Sequence, residues 1–472
     1  MDSHTIAIIG QGYVGLPLTL LAASKGHTVI GLDYDQSRIA QLQFRQMPFE
    51  DARLEKQLKN TTIHFTTDYK FISAATDIIV CVPTPVLKNT TPDLSPVEGA
   101  ARSIAKYLRK DQLVVLESTV NPSVTERIMG KILERESGLV PGRDFYLAHC
   151  PERINPGDLK WPVEKISRVV GATGKIGLER AIDLYSSLID VGTHEVDGVT
   201  YPVKVTPMRS IEAAELVKML ENTMADLVIA GVNQVAPLCN KRGIDLYEVL
   251  AAMETKNFSF FRKYPRPGAG VGGHCIPVDP WYLIHQGDEE GFPMELYRAS
   301  RKVNDSMPAY TASLVADGLN DIERPMKNSI VTVLGISYKE NVDDIRDTPT
   351  FPLIDQLRSK GAYVRAYDPH VSRVRIPQEY HDFVAPTMNE ALTNAHAVVV
   401  VTAHKEFKEQ LSGSYLREHN IKVVIDGRNC ISQKECQDAG IIFKGVGKIP
   451  RQARAVAADF SRIFQIHGNG RK

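Results

Sequence analysis

The chain has 472 residues, 43 % of them hydrophobic, and its Lys plus Arg equal its Asp plus Glu at 56 each. That length predicts two or three domains, and the balanced charge excludes a global basic field for nucleic acid or an anionic membrane, so any anion site is local. No apolar run approaches bilayer length and no export signal opens the chain, which predicts a soluble, cytoplasmic protein.

In chain order, Thr5 to Gly10 reads as an apolar strand, followed by GQGYVG and a helix-like stretch from Leu16 to Ala23. Val29 to Leu32 is a second strand, ending at Asp33. Further strands are expected at Asp77 to Val82, Leu113 to Leu116 and Tyr146 to His149. Helical segments between them predict a doubly wound α/β domain over 1–205.

Near Thr206 the texture changes. Pro207 suits the first turn of a helix, and the segment from Arg209 to about Lys241 predicts one long helix. Val217, Leu220, Met224, Leu227 and Val228 recur at helical spacing as its expected buried stripe. It would run through a central helical domain, 206–305. After Asn304 a third, α/β unit is expected over 306–472, with strands at Ser329 to Leu334, Ala362 to Tyr367, Ala397 to Val401 and Val423 to Asp426. The fold class is thus α/β, two Rossmann-like doubly wound parallel-sheet domains joined by a long central helix and a small helical domain. The third unit's first strand ends in GISYK without GxGxxG, so any nucleotide there is held differently. The polar tail after Ile466 is expected to fray.

Gly10, Gly12 and Gly15, with Tyr13 and Val14 between, form a dinucleotide fingerprint. Absent side chains let the backbone turn tightly and approach a pyrophosphate at a helix N-terminus. The flanking strand and helix, and Asp33 ending the next strand, strengthen the signal. Asp33 suits a ribose diol and would repel a 2′-phosphate, which favours NAD; Arg38 nearby pulls the other way, since it could accept that phosphate. Pro83 and Thr84 in CVPTP, and Ser118 and Thr119 in ESTV, follow apolar strands where the same ligand would lie. Each also fits ordinary loop chemistry, with proline stopping a strand and a hydroxyl capping a helix.

The six cysteines, Cys81, Cys150, Cys239, Cys275, Cys430 and Cys436, show no CxxC pair and no zinc-site spacing. No metal or disulfide framework is expected, and each thiol is first read as a small buried group. Cys275 departs from that reading. It leaves PGAGVGGHCIPVDP, whose glycines packing cannot explain and which suggest a loop closing on a ligand. If a helical turn begins at Cys275, Asp279 shares its face. A thiolate beside a nicotinamide attacks an aldehyde, and the thiohemiacetal is oxidised to a thioester that water hydrolyses. Glu215, Lys218 and Asn222 make a polar stripe on the long helix, either a solvated face or a cation and amide for an oxyanion. Glu152, just after a strand, is either a turn residue or a carboxylate at the strand's carboxyl end.

Seven motifs occur in the order in which the UDP-glucose/GDP-mannose dehydrogenase family carries them: GQGYVGLP, CVPTP, ESTV, CPERINPG, the Glu215 to Asn222 segment, PGAGVGGHCIPVDP and LGISYKENVDDIRDTP. The chain therefore resembles that family over nearly its whole length. The resemblance implies an N-terminal NAD domain, a central dimerising helix and a C-terminal UDP-sugar domain. It makes Cys275 the thioester nucleophile, with Asp279 and Thr119 positioning the hydrolytic water. Lys218 and Asn222 become oxyanion stabilisers, and Glu152 the carboxylate that assists deacylation. Substrate contacts carry over to Arg153, Tyr264, Arg266, Gly272, Lys339 and Arg428, besides Glu152, Lys218 and Asn222, and Arg346 falls on a motif near the cofactor.

Trp161 after CPERINPGD, and His274 where UDP-glucose enzymes often carry Ser, resemble the bacterial branch acting on UDP-N-acetylhexosamines. UDP-N-acetylglucosamine is expected first and UDP-N-acetylmannosamine next, for surface polysaccharide synthesis by a homodimer or larger homo-oligomer. UDP-glucose, GDP-mannose and an idle NAD-binding scaffold are the alternatives. Gln234 stands where many relatives have Glu after Asn233.

Overall fold

Short runs of Val, Ile and Leu that are apolar without alternation demand cover on both faces, and a parallel sheet sandwiched by helices supplies it. The computed structural model describes residues 3–49, 51–87, 89–154, 160–257 and 263–448, so the tail after Ile466 lies outside the described residues. The chain forms two units, Met1–Thr223 with Val278–Met294, and Met224–Pro277 with Glu295–Lys472.

The first unit contains β1 (Thr5–Ile9), β2 (Thr28–Leu32), β3 (His64–Thr66), β4 (Asp77–Val80), β5 (Leu113–Leu116), β6 (Tyr146–His149) and β7 (Arg168–Ala172). A hairpin of β8 (Gly192–Val196) and β9 (Val199–Val203) follows, then β10 (Val205–Pro207). One sheet runs β10-β7-β6-β5-β4-β1-β2-β3, and β6 with β7 is its antiparallel pair. The first six strands keep the order 3-2-1-4-5-6 of a dinucleotide-binding sheet, whose ligand crevice lies where the order reverses, between β1 and β4.

The second unit holds a parallel sheet of β11 (Ile330–Leu334), β12 (Tyr363–Tyr367), β13 (Ala397–Val400), β14 (Val423–Asp426) and β15 (Ile442–Gly445), in the order β12-β11-β13-β14-β15. This is the other common doubly wound order. The helix Glu295–Asn320 packs Leu314, Val315 and Leu319 into one core with Val331, Val333, Val423 and Ile425. That helix passes through Asn304 without a break and leads towards β11. Among the described residues, no helix is long and apolar enough to cross a membrane.

The central helix runs Ile211–Arg242, with Pro237 inside it. Pro207 does not open it. It ends β10 on the sheet edge, where a missing N–H costs no ladder bond, and Ser210 Oγ accepts the Ala213 N–H at 3.1 Å instead. The expected stripe is also corrected: Leu220 is 37 % and Met224 45 % exposed, and Val217, Leu227 and Val228 are half-buried. The helix turns Glu215, Lys218, Thr223, Asp226 and Asn233 inward instead. Buried polar groups are tolerated when bonded, as Glu215, Asp226 and Asn233 are, whereas Thr223 Oγ1 has no hydrogen-bond partner among the described residues. Glu215 accepts the N–H groups of Ser123 (2.7 Å) and Thr125 (2.8 Å) and the Thr125 hydroxyl (2.6 Å), capping the helical segment that starts at Thr125.

Removing that carboxylate strands three donors. Glu215→Ala should lower unfolding stability by about 3 kcal/mol, read from the denaturant midpoint of the first transition; a loss under about 1 kcal/mol contradicts the capping role.

Candidate active site

The cofactor cradle is built at the crevice of the first sheet. Gly10 has φ +93°, and a Cβ there would lie 2.5 Å from the Cys81 carbonyl oxygen across the switch point. A Cβ on Gly15 would lie 1.8 Å from the Gly10 oxygen, whereas one on Gly12 meets nothing within 4 Å. Two glycines therefore permit the turn and the third leaves its outer side open, as a pyrophosphate requires. Tyr13 stacks on Phe49 at 4.3 Å, and Val14 is half-buried just ahead of the helix Gly15–Ser24. Asp33 accepts the Gln11 N–H at 2.7 Å, the Asp35 N–H at 3.0 Å and Arg38 Nη1 at 2.9 Å. Arg38 is thus engaged by a carboxylate that would itself repel a 2′-phosphate, which fits NAD.

The two proline- and hydroxyl-bearing loops are stitched into the same unit. Ser118 Oγ donates to the Val82 carbonyl at 2.7 Å, and the Tyr282 hydroxyl donates to the Thr84 carbonyl at 2.8 Å. Pro83 is exposed and Thr119 half-buried.

Lys218 is buried and acts electrostatically on two carboxylates. Glu152 follows β6, and its carboxylate accepts the Ile154 N–H. Burial pushes its pKa up to about 7, opposed by Lys218 and then Arg168. Asp279 opens the helix Asp279–Glu290 and accepts Asn222 Nδ2 at 2.5 Å. Burial raises it to about 7 as well, opposed by that bond and by Lys218. A buried cation whose charge acts on two carboxylates poised near neutrality, without ion-pair contact to either, is suited to proton transfer and oxyanion stabilisation. Arg153 is held by Glu221 (Nε, 3.0 Å) and the Ser167 carbonyl (3.0 Å); Asn155, Pro156 and Gly157 of its motif lie outside the described residues.

In the second unit the glycine loop is anchored by a line of amides. Gly268 N–H donates to Asn233 Oδ1 (3.0 Å), Asn233 Nδ2 to Asn304 Oδ1 (3.0 Å), and Asn304 Nδ2 to Asp226 (2.7 Å), which also pairs with Arg301. Gln234, by contrast, is exposed. Asp226, Arg301 and Asn304 were not among the expected residues. Their signal was the recurrence of polar residues at helical spacing on two helices.

Further along, a Cβ on Gly272 would lie 2.6 Å from Tyr338 Cβ, and the Gly273 N–H donates to the Arg346 carbonyl at 2.9 Å. The loop therefore lies flat on the GISYKENVDDIRD segment. Cys275 is partly exposed, whereas Cys81, Cys150, Cys239 and Cys436 are buried. The helix begins only at Asp279, with Pro280 in its first turn, so Cys275 sits in the preceding turn and the two do not share a helical face.

The remaining expected contacts are placed in the second unit. Glu254 accepts the Tyr264 N–H at 3.0 Å and pairs with Arg266 at 3.0 Å. The Lys339 carbonyl accepts Ser337 Oγ at 2.9 Å, and Arg346 forks onto Asp344. Arg428 donates from Nε to the Val401 carbonyl at 2.9 Å, and its guanidinium closes on the bare side of Gly268. Asp368, just after β12, accepts the Ile336 and Ser337 N–H groups at 2.6 and 2.9 Å, as Asp33 does for Gln11. His370, His404 and Glu406 cluster nearby with metal-ligand spacing. His404 already uses both ring nitrogens, accepting the Asn341 N–H and facing Asp368 at 3.0 Å, which leaves no lone pair for a metal.

Comparison with known proteins assigns this architecture. Residues 4–189 match the NAD binding domain of the UDP-glucose/GDP-mannose dehydrogenase family, 212–306 its central domain and 332–433 its UDP binding domain. The chain is similar to the UDP-N-acetyl-D-glucosamine 6-dehydrogenase of Pseudomonas aeruginosa, at 37 % identity over 86 % of this chain and 92 % of that one. It superposes on the UDP-D-ManNAc dehydrogenase of Pyrococcus horikoshii with a TM-score of 0.82 and 31 % identity, over 94 % of this chain and 99 % of that one. The NDP-N-acetyl-D-galactosaminuronic acid dehydrogenase of Methanosarcina mazei gives a TM-score of 0.80 and 33 % identity, over 95 % and 96 %. The chain therefore belongs to the UDP-glucose/GDP-mannose dehydrogenase family, and is an NAD-dependent oxidoreductase of nucleotide sugars.

Proposed function

We propose that the chain oxidises the C6 alcohol of a UDP-N-acetylhexosamine, with UDP-N-acetylglucosamine preferred, through four electrons to the uronic acid. The observation that carries this reading is the buried Lys218, whose charge acts on both buried carboxylates, Glu152 and Asp279, with Asn222 bonded to Asp279. NAD, when bound, accepts the two electrons of each oxidation as hydride.

The alcohol first loses a hydride and a proton to become an aldehyde. The Cys275 thiolate then adds to the aldehyde carbon, and Lys218 and Asn222 hold the resulting oxyanion. Loss of a second hydride gives a Cys275 thioester. Water adds to that carbon, Glu152 takes its proton, Asp279 and Thr119 orient it, and the carbon–sulfur bond breaks to release the carboxylate. The chain connects Cys275 to Asp279 through only three residues. A binding scaffold has no use for a buried cation shared by two carboxylates poised near neutrality. UDP-N-acetylmannosamine is the second reading, supported by the Pyrococcus relative.

We further place the reaction in the cytoplasm and in a homodimer or larger homo-oligomer. Leu220, Met224, Val235 and Leu238 are 37, 45, 42 and 54 % exposed at a spacing that keeps them on one seam of the central helix, a pattern that a second copy of the helix would cover.

Cys275→Ala should abolish sugar-acid formation while cofactor binding survives; the unaltered enzyme should give two reduced cofactors per acid, and acid production by the variant would refute the nucleophile. A panel of UDP-N-acetylglucosamine, UDP-N-acetylmannosamine, UDP-glucose and GDP-mannose, ranked by kcat/KM, should favour the first. Turnover with UDP-glucose alone would overturn the hexosamine reading. Leu220→Glu with Met224→Glu should shift mass measured by light scattering towards the monomer, and an unchanged mass would remove the seam from the assembly.

A further inference from the structure

Behind the strand ends that carry Glu152 lies a group of ionisable side chains that the reaction above does not use. Glu117 follows β5 and is wholly buried, where it accepts the Tyr185 hydroxyl at 2.6 Å and faces the Cys81 thiol at 3.8 Å. Arg168 opens β7 and is equally buried, with Nη1 3.9 Å from the Glu117 carboxylate. None of its three guanidinium nitrogens finds a hydrogen-bond partner among the described residues. The Glu152 N–H donates to the Glu117 carbonyl at 3.2 Å, so the two carboxylates hang from adjacent strand ends.

A guanidinium kept only for packing would spend its donors on nearby carbonyls, because unbonded buried donors are costly. One that keeps its nitrogens unbonded 3.9 Å from a carboxylate acts through its charge, which the dry surroundings leave unscreened. We propose that Glu117 and Arg168 are positioning residues, a buried pair of opposite charges that holds Glu152 in the ionised, water-activating form during hydrolysis of the Cys275 thioester. This rests on the reading of Glu152 as the base of that step.

The groups facing Glu152 are Lys218 from the central helix, Arg168 from β7, Glu117 from the end of β5, and the buried thiols of Cys81 after β4 and Cys150 after β6, besides the N–H of Arg153. Burial drives its proton affinity up, Lys218 and then Arg168 draw it down, and Glu117 raises it by less than Arg168 lowers it. A base works above its own pKa, so hydrolysis falls as the pH drops through it. Removing the negative partner should therefore move that fall to lower pH, and removing the positive one should move it to higher pH.

The experiment mixes enzyme, NAD and UDP-N-acetylglucosamine rapidly and follows reduced cofactor at several pH values. Because both oxidations precede hydrolysis, a slow last step gives a burst of two reduced cofactors per site, then a steady rate that reports hydrolysis. Glu117→Gln, which keeps a partner for Tyr185, should move the acid limb of the steady rate down by about one pH unit, a roughly tenfold gain below the original midpoint. Glu117→Gln/Arg168→Met, which leaves no lone buried charge, should move it up, by the excess of the Arg168 effect over that of Glu117, with the burst still at two. Limbs that stay put, or move in the same direction in both variants, overturn the inference and leave the pair a packing feature. Glu152→Gln separates the two readings: it should erase the limb, and a limb unchanged in that variant would refute Glu152 as the base and the inference with it.

Discussion

The first unit depends on one ammonium group kept out of water. Lys218 sits on the inward face of the central helix, and burial that is costly for a lone cation is offset by Glu152 and Asp279. Each partner is fixed by a different element, one by the strand end after β6 and the other by the first turn of the helix Asp279–Glu290. The helix register, the crossover that returns the chain at Val278 and the strand-end geometry must therefore agree for the charges to balance. That agreement explains why the helix turns polar residues inward and leaves Leu220 and Met224 outside.

The two sheets solve a shared problem with one device. In each, the loop after the first strand must be held in an unusual conformation at the carboxyl edge, and in each an aspartate after the second strand takes that loop's N–H groups. Asp33 does this for Gln11, and Asp368 for Ile336 and Ser337. Only the first loop carries the glycine pattern that a pyrophosphate needs, so a shared scaffold serves two different nucleotide surfaces.

Most strands were legible because parallel strands buried on both faces are continuous apolar runs; β5, β6 and β14 begin and end where their sequence predicts. The cradle was legible because Gly10, Gly12 and Gly15 have no other use at that spacing. The central helix was legible in its extent and wrong in its facing. Periodicity shows that one face is apolar, and the bonds that make the polar face the covered one come from Ser123 and Thr125, about ninety residues away. β15 was missed because IFKG offers two apolar side chains, and Pro207 was misplaced because proline suits an edge strand as well as a first turn. Glu117 and Arg168 carried no separate signal: a charge at the end of an apolar run, like Glu117, or at its start, like Arg168, looks like a strand end meeting water.

The seat of the glycine loop has a different chemical character from the groups it serves. From Asp226 the connection to Gly268 passes through the side chains of Asn304 and Asn233, and amides neither gain nor lose protons in water's ordinary range. The anchor of Gly268 thus runs through two side chains that do not titrate before it reaches the Asp226 carboxylate. Mild acid that protonates Glu152 and Asp279 leaves both amides as they are, so the tether at Gly268 carries the same hydrogen bonds between Asn233 and Asn304 on either side of that change.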